Sequence, residues 1–342
     1  MSIEVIKPGL ATSVQDAGRA GHYHLGIPPS GAMDQFAMRS ANLLLGNAED
    51  AAVLECALMG PELRFTQACR IATGGAEMVP KIDGQAHPNF EVLEVPAGSV
   101  LSFDFVRAGA RLYLAVEGGI DVPERLGSRS TYTLGALGGY EGRPLKAGDV
   151  LPIGQPNTGT RAAVGRRLPE AFVPRFAKHY ELRVVPGLYD HLLEEETRER
   201  FYQEDWSVAS EADRIGYRFK GGTPLRFIER EPPFGAGDDP SNIVDACYPI
   251  GSIQVPAGSE PIILHRDAVS GGGYAMVGTV ISADMDLVGQ IQPHQKVRFV
   301  EVSLEQALDA RKAYAERLQA LRVALGQALG DARDQALGQA LD

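Results

Sequence analysis

Residues 111–119 read RLYLAVEGG, a run of branched and aromatic side chains stopped by two glycines, as a strand followed by a turn would be. The same phrasing recurs near both ends of the chain, as IEVIKP at 3–8 and KVRFVEV at 296–302. Between them VPAGS at 95–99, EGGIDVP at 117–123 and KAGDVL at 146–151 supply further breakers. Strands at this density, without long helices alternating between them, predict β-barrel or sandwich modules and not a parallel βαβ sheet. The expected fold class is mainly β.

The composition supports many tight turns: 39 glycines and 22 prolines in 342 residues exceed the usual background of about 12%. With 33 Lys+Arg against 44 Asp+Glu, the chain carries a net charge of −11. That balance argues against a nucleic-acid partner, which would call for a basic stripe. No apolar run approaches the ~20 residues of a membrane helix, and MSIEVIKPGL lacks the basic and apolar regions of a secretory signal. Cys56, Cys69 and Cys247 are too scattered for a disulfide framework or a cysteine-rich zinc site. The expectation is a soluble, cytoplasmic protein that binds no membrane.

Two helices interrupt the strands. Asp34 is a good N-cap for QFAMRSANLLL, and Gly46 a good stop after it. A charged surface helix is expected over residues 189–203. Residues 155–179 lose the strand period and gain Pro, Gly, Thr and basic residues, which places a linker there. The chain therefore divides into a module at 1–154, that linker, a second module at 180–302 and a tail at 303–342. LRVVPGL at 182–188 echoes IEVIKPGL at 3–10, which suggests a duplication or merely the recurrence of strand–turn phrases. In the tail, Leu318, Leu321, Leu325 and Leu329 follow the spacing of an amphipathic helix, weakened toward its end by Gly326, Gly330 and Gly338.

Three polar clusters could carry chemistry. In GSRST, Arg129 offers a planar fork for an anion, with Ser128, Ser130 and Thr131 around it; the alternative is an exposed turn with one surface arginine. In the stretch 253–274, Gln254 and Asp267 could engage an amide and the backbone of Gly271–Gly273 could approach a ligand; the alternative is a barrel corner turned by glycines. The loop SVQDAGRAGHYHLGIPPSGAMD at 13–34 is long enough to suggest function, although Asp34 could serve only as a cap. Glu55, Asn42 and Asn47 would need partners if buried. The chain has no GxxxxGK[ST] phosphate loop, no HExxH, no GxSxG and no biotinyl-lysine site. No metal site is expected, since His22 and His24 have no evident third ligand.

Taken together, PGLATSVQDAGRAGHYHLGIPPSGAMDQFAMRSANLLLGN, GPELRF, YLAVEGGI, LGSRST, DRIGYRF, GSIQVP, PIILHRD, GGGY, VISAD, GQIQP and KVRF resemble the family of the 5-oxoprolinase C subunit. Its relatives are the allophanate-hydrolase-subunit-2-like proteins and part of the carboxyltransferase domain of urea carboxylase. The resemblance spans about residues 3–302. It implies two tandem cyclophilin-like β-barrel domains and a subunit-B-like partner, with a subunit-A-like protein as a further one. Those complexes open the lactam of 5-oxoproline to glutamate using ATP. The related alternative is a biotin-dependent carboxyltransferase acting on urea or a similar small amide. A third is a non-enzymatic regulatory protein of the kinase-inhibitor-antagonist kind. No cofactor is expected to be bound covalently to this chain, so ATP, or biotin in the alternative, would be handled by a partner.

Residue chemistry within this frame makes Asp267, Gln254 and Arg129 the candidate catalytic residues. Ser128, Ser130, Thr131, Asp34, Gly272, Gly273, Tyr274 and Arg214 are the candidate substrate contacts, and no cofactor-binding residue is assigned. The second half departs from the family pattern: Val269, Ser270, Gly271 and Ala275 stand where Gln, two Thr and Pro are usual, and Ala212 and Ile215 replace Ser and Met. Substrate choice or activity would change if the lost amide and hydroxyls bind substrate.

Overall fold

The computed structural model describes residues 1–156, 161–231 and 233–326. They form a mainly β protein built in two halves. In the first half, one sheet has the order Val150–Pro152, Ser2–Lys7, Glu62–Phe65, Val100–Phe103, Pro80–Ile82, Gln85–Ala86. The other runs Ala11–Gln15, Val53–Ala57, Ala108–Val116, Cys69–Glu77, Leu93–Val95. Alternation places Ile3 and Val5 inward from the first strand, and residues of both sheets share a single core with Leu54, Leu112 and Leu151.

The residue pattern of this module allows a barrel or a sandwich and the resemblance implies a barrel; its strands hydrogen-bond as a six-stranded and a five-stranded sheet. The chain crosses from one sheet to the other at tight corners such as Pro8–Gly9, and the two layers face each other across the core. Gly9 has φ +73°, and a Cβ there would lie 2.5 Å from the Met59 carbonyl oxygen.

Helix α1, Gln35–Leu45, covers the outer face of the second sheet. The two central strands of that sheet are thus buried on both faces, so RLYLAV reads as a continuous apolar run without alternation. Both expected caps are present: the Asp34 carboxyl accepts from Ala37 N, and Gly46 adopts φ +78°. The helix sits so close to the sheet that a Cβ on Gly74 would fall 2.3 Å from the Ala37 carbonyl oxygen.

The second half is a closed seven-stranded barrel: His179–Pro186, Met276–Val280, Ser252–Gln254, Ile262–Leu264, Gly216–Lys220, Asp205–Val208, Lys296–Glu301. Parallel pairing of the last strand with the first closes the ring. Trp206, Phe219, Phe299 and Phe201 fill its core, and α2, Glu195–Gln203, contributes the last of these. The helix begins later than the sequence suggests, because a short 3-10 segment, Asp190–Leu192, and the extended Leu193 after it bury both leucines before the helix starts. A two-stranded ribbon, Asn242–Cys247 with Gly271–Tyr274, projects from this barrel.

The stretch placed as a linker packs on the first half: Ala162 and Leu168 are buried beside α1, and Arg70 donates to the Ala162 carbonyl. A short helix α3, Met285–Val288, precedes the final strand. Helix α4, Leu304–Ala324, opens with a capping box between Ser303 and Gln306. Its Leu318, Leu321 and Leu325 are buried in the α1 cluster, while the expected Leu329, Gly330 and Gly338 lie outside the described residues. Among the described residues no helix is long and apolar enough to cross a membrane.

Candidate active site at the seam between the halves

The loop between residues 16 and 34 is the joint of the molecule. Ser30 N donates to the Arg266 carbonyl at 2.9 Å, Arg214 donates to the Gly31 carbonyl at 2.8 Å, and Tyr23 donates to the Tyr248 carbonyl at 2.8 Å. Gly31, at φ +87°, allows the backbone to pass over Ala17 and Gly18, where a Cβ would meet three atoms within 2.9 Å.

Behind this loop runs a continuous network that joins both halves. Glu55, wholly buried, accepts from Met33 N at 2.9 Å, Tyr113 OH at 2.8 Å and Arg214 Nη1 at 2.6 Å. Burial would push its carboxyl up, but the Arg214 and Arg111 charges hold it below the usual glutamate value. Arg214 also clamps Asp267 through two bonds of 2.8 and 3.1 Å. In the other direction Tyr113 OH accepts from Asp34 N at 2.8 Å. Gln290 then closes the circuit, donating to Asp34 Oδ2 at 2.8 Å and accepting from Ala110 N and Arg111 N at 3.0 Å each.

Asp34 lines a cavity of about 270 Å³ together with Phe36, Phe172, Asp286, Tyr314 and Arg317. Burial, reinforced by the nearby Asp286 charge, pushes its carboxyl up to about 8, against the opposing bonds from Ala37 N and Gln290. Each carboxyl oxygen takes one protein donor, which leaves lone pairs free to carry a proton. Asp286 accepts from Gln35 N at 2.9 Å, Phe36 N at 3.0 Å and Tyr314 OH at 2.6 Å. The pair thus divides its roles: Asp286 acts as the acceptor, and Asp34 holds a proton near neutral pH.

The structure brings Asp34, Arg214 and Asp267 into one network and sets the other expected residues apart. The GSRST hydroxyls are used on protein acceptors: Ser128 donates to Asp16 at 2.6 Å, Ser130 donates to the same oxygen, and Thr131 donates to the Val14 carbonyl at 2.9 Å. The Arg129 guanidinium faces Val122 O at 2.8 Å, Glu124 at 2.6 Å and Asp121 at 3.3 Å, on a surface where its side chain is 33% exposed. The anion cradle expected there is filled by Asp16. Gln254 sits in a barrel strand opposite Ile262 and Met276, with no bond to the seam network. Gly272 and Gly273 belong to the ribbon, where the required close approach is to Tyr248: a Cβ on Gly272 would lie 2.9 Å from its ring. Tyr274 exchanges backbone bonds with Tyr248 OH and takes no part in the seam network.

Sequence reasoning missed Tyr113, Arg111, Gln290, Asp286 and Tyr314. A tyrosine, an arginine or a glutamine in a strand or turn looks ordinary, and only the fold brings Gln290 to Asp34. Arg19 was noticed only within its loop. It is 1% exposed and donates to the Ser130 carbonyl, yet among the described residues its Nε and Nη1 have no hydrogen-bond partner. Among the described residues no group of three or more His, Cys, Asp or Glu is placed to hold a metal ion.

Fold and motifs place this chain in the carboxyltransferase domain, subdomain A and B family, to which it belongs through a match over residues 25–301. It is 36% identical to urea amidolyase of Saccharomyces cerevisiae over 91% of its own length, but spans only 17% of that protein. It is also 36% identical to the C subunit of 5-oxoprolinase from Escherichia coli, covering 91% of this chain and 94% of the relative. The solved urea amidolyase of Kluyveromyces lactis superimposes with a TM-score of 0.87 at 34% identity, over 98% of this chain and 20% of that one. The structure TTHA0988 matches with a TM-score of 0.72 at 32% identity, over 87% of this chain and 55% of that one. The urea amidolyase and 5-oxoprolinase relatives are enzyme subunits or domains of multidomain enzymes.

Proposed function

We propose that this chain is the C subunit of a 5-oxoprolinase-type complex, which opens a cyclic amide in an ATP-dependent reaction with subunit-B-like and subunit-A-like partners. The observation that carries this reading is the buried Asp34 carboxyl lining a small cavity walled in part by aromatic rings, where burial beside Asp286 pushes it up to about 8. A neutral carboxyl in such a place donates a hydrogen bond to a carbonyl oxygen, which an ionised one cannot do. That bond strengthens as charge builds on the oxygen when the carbonyl carbon is attacked. Opening the lactam adds the elements of water across the C–N bond, oxygen to carbon and hydrogen to nitrogen. An unstrained amide resists this step, and we assign the energy supply to a partner because the chain carries no phosphate loop.

Asp267 and Arg214 then act as positioning residues through Glu55 and Tyr113 and need not touch the substrate.

The test uses the complex reconstituted with subunit-A-like and subunit-B-like proteins. Asp34→Ser keeps an oxygen for the helix cap and removes the carboxyl. It is expected to lower 5-oxoproline-dependent ATP turnover by at least about tenfold; unchanged turnover overturns the role of Asp34. The family match itself favours one second reading, a carboxyltransferase that moves a carboxyl group from a partner's biotin to urea or a similar amide. Urea-dependent consumption of carboxybiotin, without 5-oxoproline-dependent ATP turnover, would establish that reading instead.

A further inference from the structure

The charges around the cavity do not balance. Asp34 accepts from Ala37 N and Gln290 and is pushed up to about 8 by burial and the Asp286 charge, Asp284 is clamped by Arg183 at 2.6 Å, and Asp286 is satisfied by three donors. Two guanidinium groups line the same cavity, Arg175 and Arg317. Arg175 reaches only Glu170, at 4.0 Å, with both side chains nearly fully exposed. Arg317 projects from α4 and lies 4.2 Å above the centroid of the Phe36 ring. Among the described residues its guanidinium makes no hydrogen bond and no ion pair.

A guanidinium lying over an aromatic face has already lost part of its rotamer freedom, while its planar N–H fork remains open. Binding a planar anion then costs less ordering than it would for a free surface arginine. Tyr314, on the same face of α4 one turn earlier, pins the helix to the cavity wall through its bond to Asp286. The cavity lining therefore holds two chemically different groups, the Asp34 carboxyl and a guanidinium whose N–H fork has no hydrogen-bond partner among the described residues.

We propose that Arg317 is the specificity residue of this cavity, its fork receiving a carboxylate of the same molecule whose amide carbonyl reaches Asp34. This inference rests on the reading that the cavity takes the amide substrate. It restricts that substrate to amides bearing a carboxylate. An uncharged amide such as urea offers no carboxylate for the two parallel, charge-assisted bonds of this fork. The selecting residue lies beyond residue 301, where the family match ends.

The test compares 5-oxoproline with its uncharged carboxamide, 5-oxoprolinamide, by calorimetric titration of the full chain at pH 7. The wild-type chain is expected to bind the carboxylate at least ten times more tightly. Arg317→Gln should bring that ratio close to one while leaving the affinity for the carboxamide unchanged. An unchanged ratio in Arg317→Gln overturns the inference, as does loss of the preference in Arg175→Gln but not in Arg317→Gln. Equal affinity of the two compounds for the wild-type chain overturns it too, and leaves the cavity reading standing. If neither compound binds, or if Asp34→Ser leaves both affinities intact, the cavity reading falls and takes this inference with it.

Discussion

Replacing Asp34 by Asn removes a titration without removing the shape of the side chain, and the consequence for stability can be worked out. The Asp34 carboxyl titrates near 8 in the folded protein because it is buried beside Asp286, whereas an unfolded aspartate titrates near 3.8. Between those values the folded state holds one proton that the unfolded state has released. Stability therefore falls as pH rises through this window, by about 1.4 kcal/mol for each unit, and levels off above pH 8. Over the full window the loss is of the order of 5 kcal/mol.

Another buried group works in the opposite direction. His265 is held neutral by burial, its value well below the ordinary 6.5, so its contribution to stability is lost as pH falls below that point. The informative quantity is thus the difference between wild type and Asp34→Asn, in which His265 cancels. Urea denaturation from pH 5 to 9 should show the variant gaining on the wild type up to about pH 8 and running parallel to it above. Parallel profiles across the whole range would refute the placement of the proton on Asp34.

Further outcomes follow from the same contacts. Arg214→Met leaves the buried Glu55 and Asp267 without their shared cation, and denaturant unfolding should show a loss of about 3–5 kcal/mol. Gly74→Ala places a methyl group 2.3 Å from the Ala37 carbonyl oxygen, which the backbone of α1 cannot yield cheaply; thermal unfolding should fall by several degrees, equivalent to about 1–3 kcal/mol. Burial pushes the Cys56 and Cys69 thiols up to about 12 and about 11, while Cys247 is exposed. A thiol reagent at pH 8 should therefore titrate one cysteine quickly in the folded protein and the other two only on unfolding.

What could be read in the sequence follows the range of the interactions involved. The caps of α1 were legible because Asp34, Ala37 and Gly46 are near neighbours, and the strands were legible from side-chain type and breakers. The closed barrel and the two-sheet module could not be told apart, since both need only short strands and tight corners. In GSRST, the Ser128 and Ser130 hydroxyls meet Asp16 of the same chain, more than a hundred residues away, and not the bound anion that the phrase suggests. Arg129 drew attention as a lone guanidinium in that phrase, while Glu124 and Asp121, which neutralise it, sit in plain sight a few residues before. The seam network depends on contacts such as Gln290 with Asp34, across 256 residues, for which no local pattern exists. Glu55 was the exception: an acid inside an apolar strand already implied a buried partner.

Met33 belongs to the first half by sequence, yet its side chain is wholly buried within the core of the barrel formed by the second. A ribosome releases the first module before that barrel exists, so Met33 and Glu55 emerge ahead of the barrel core and the Arg214 guanidinium that later cover them. Neither module should reach its final form in isolation, and fragments cut at the junction would expose sticky, mutually complementary surfaces. Separately expressed pieces would then become soluble only when made together.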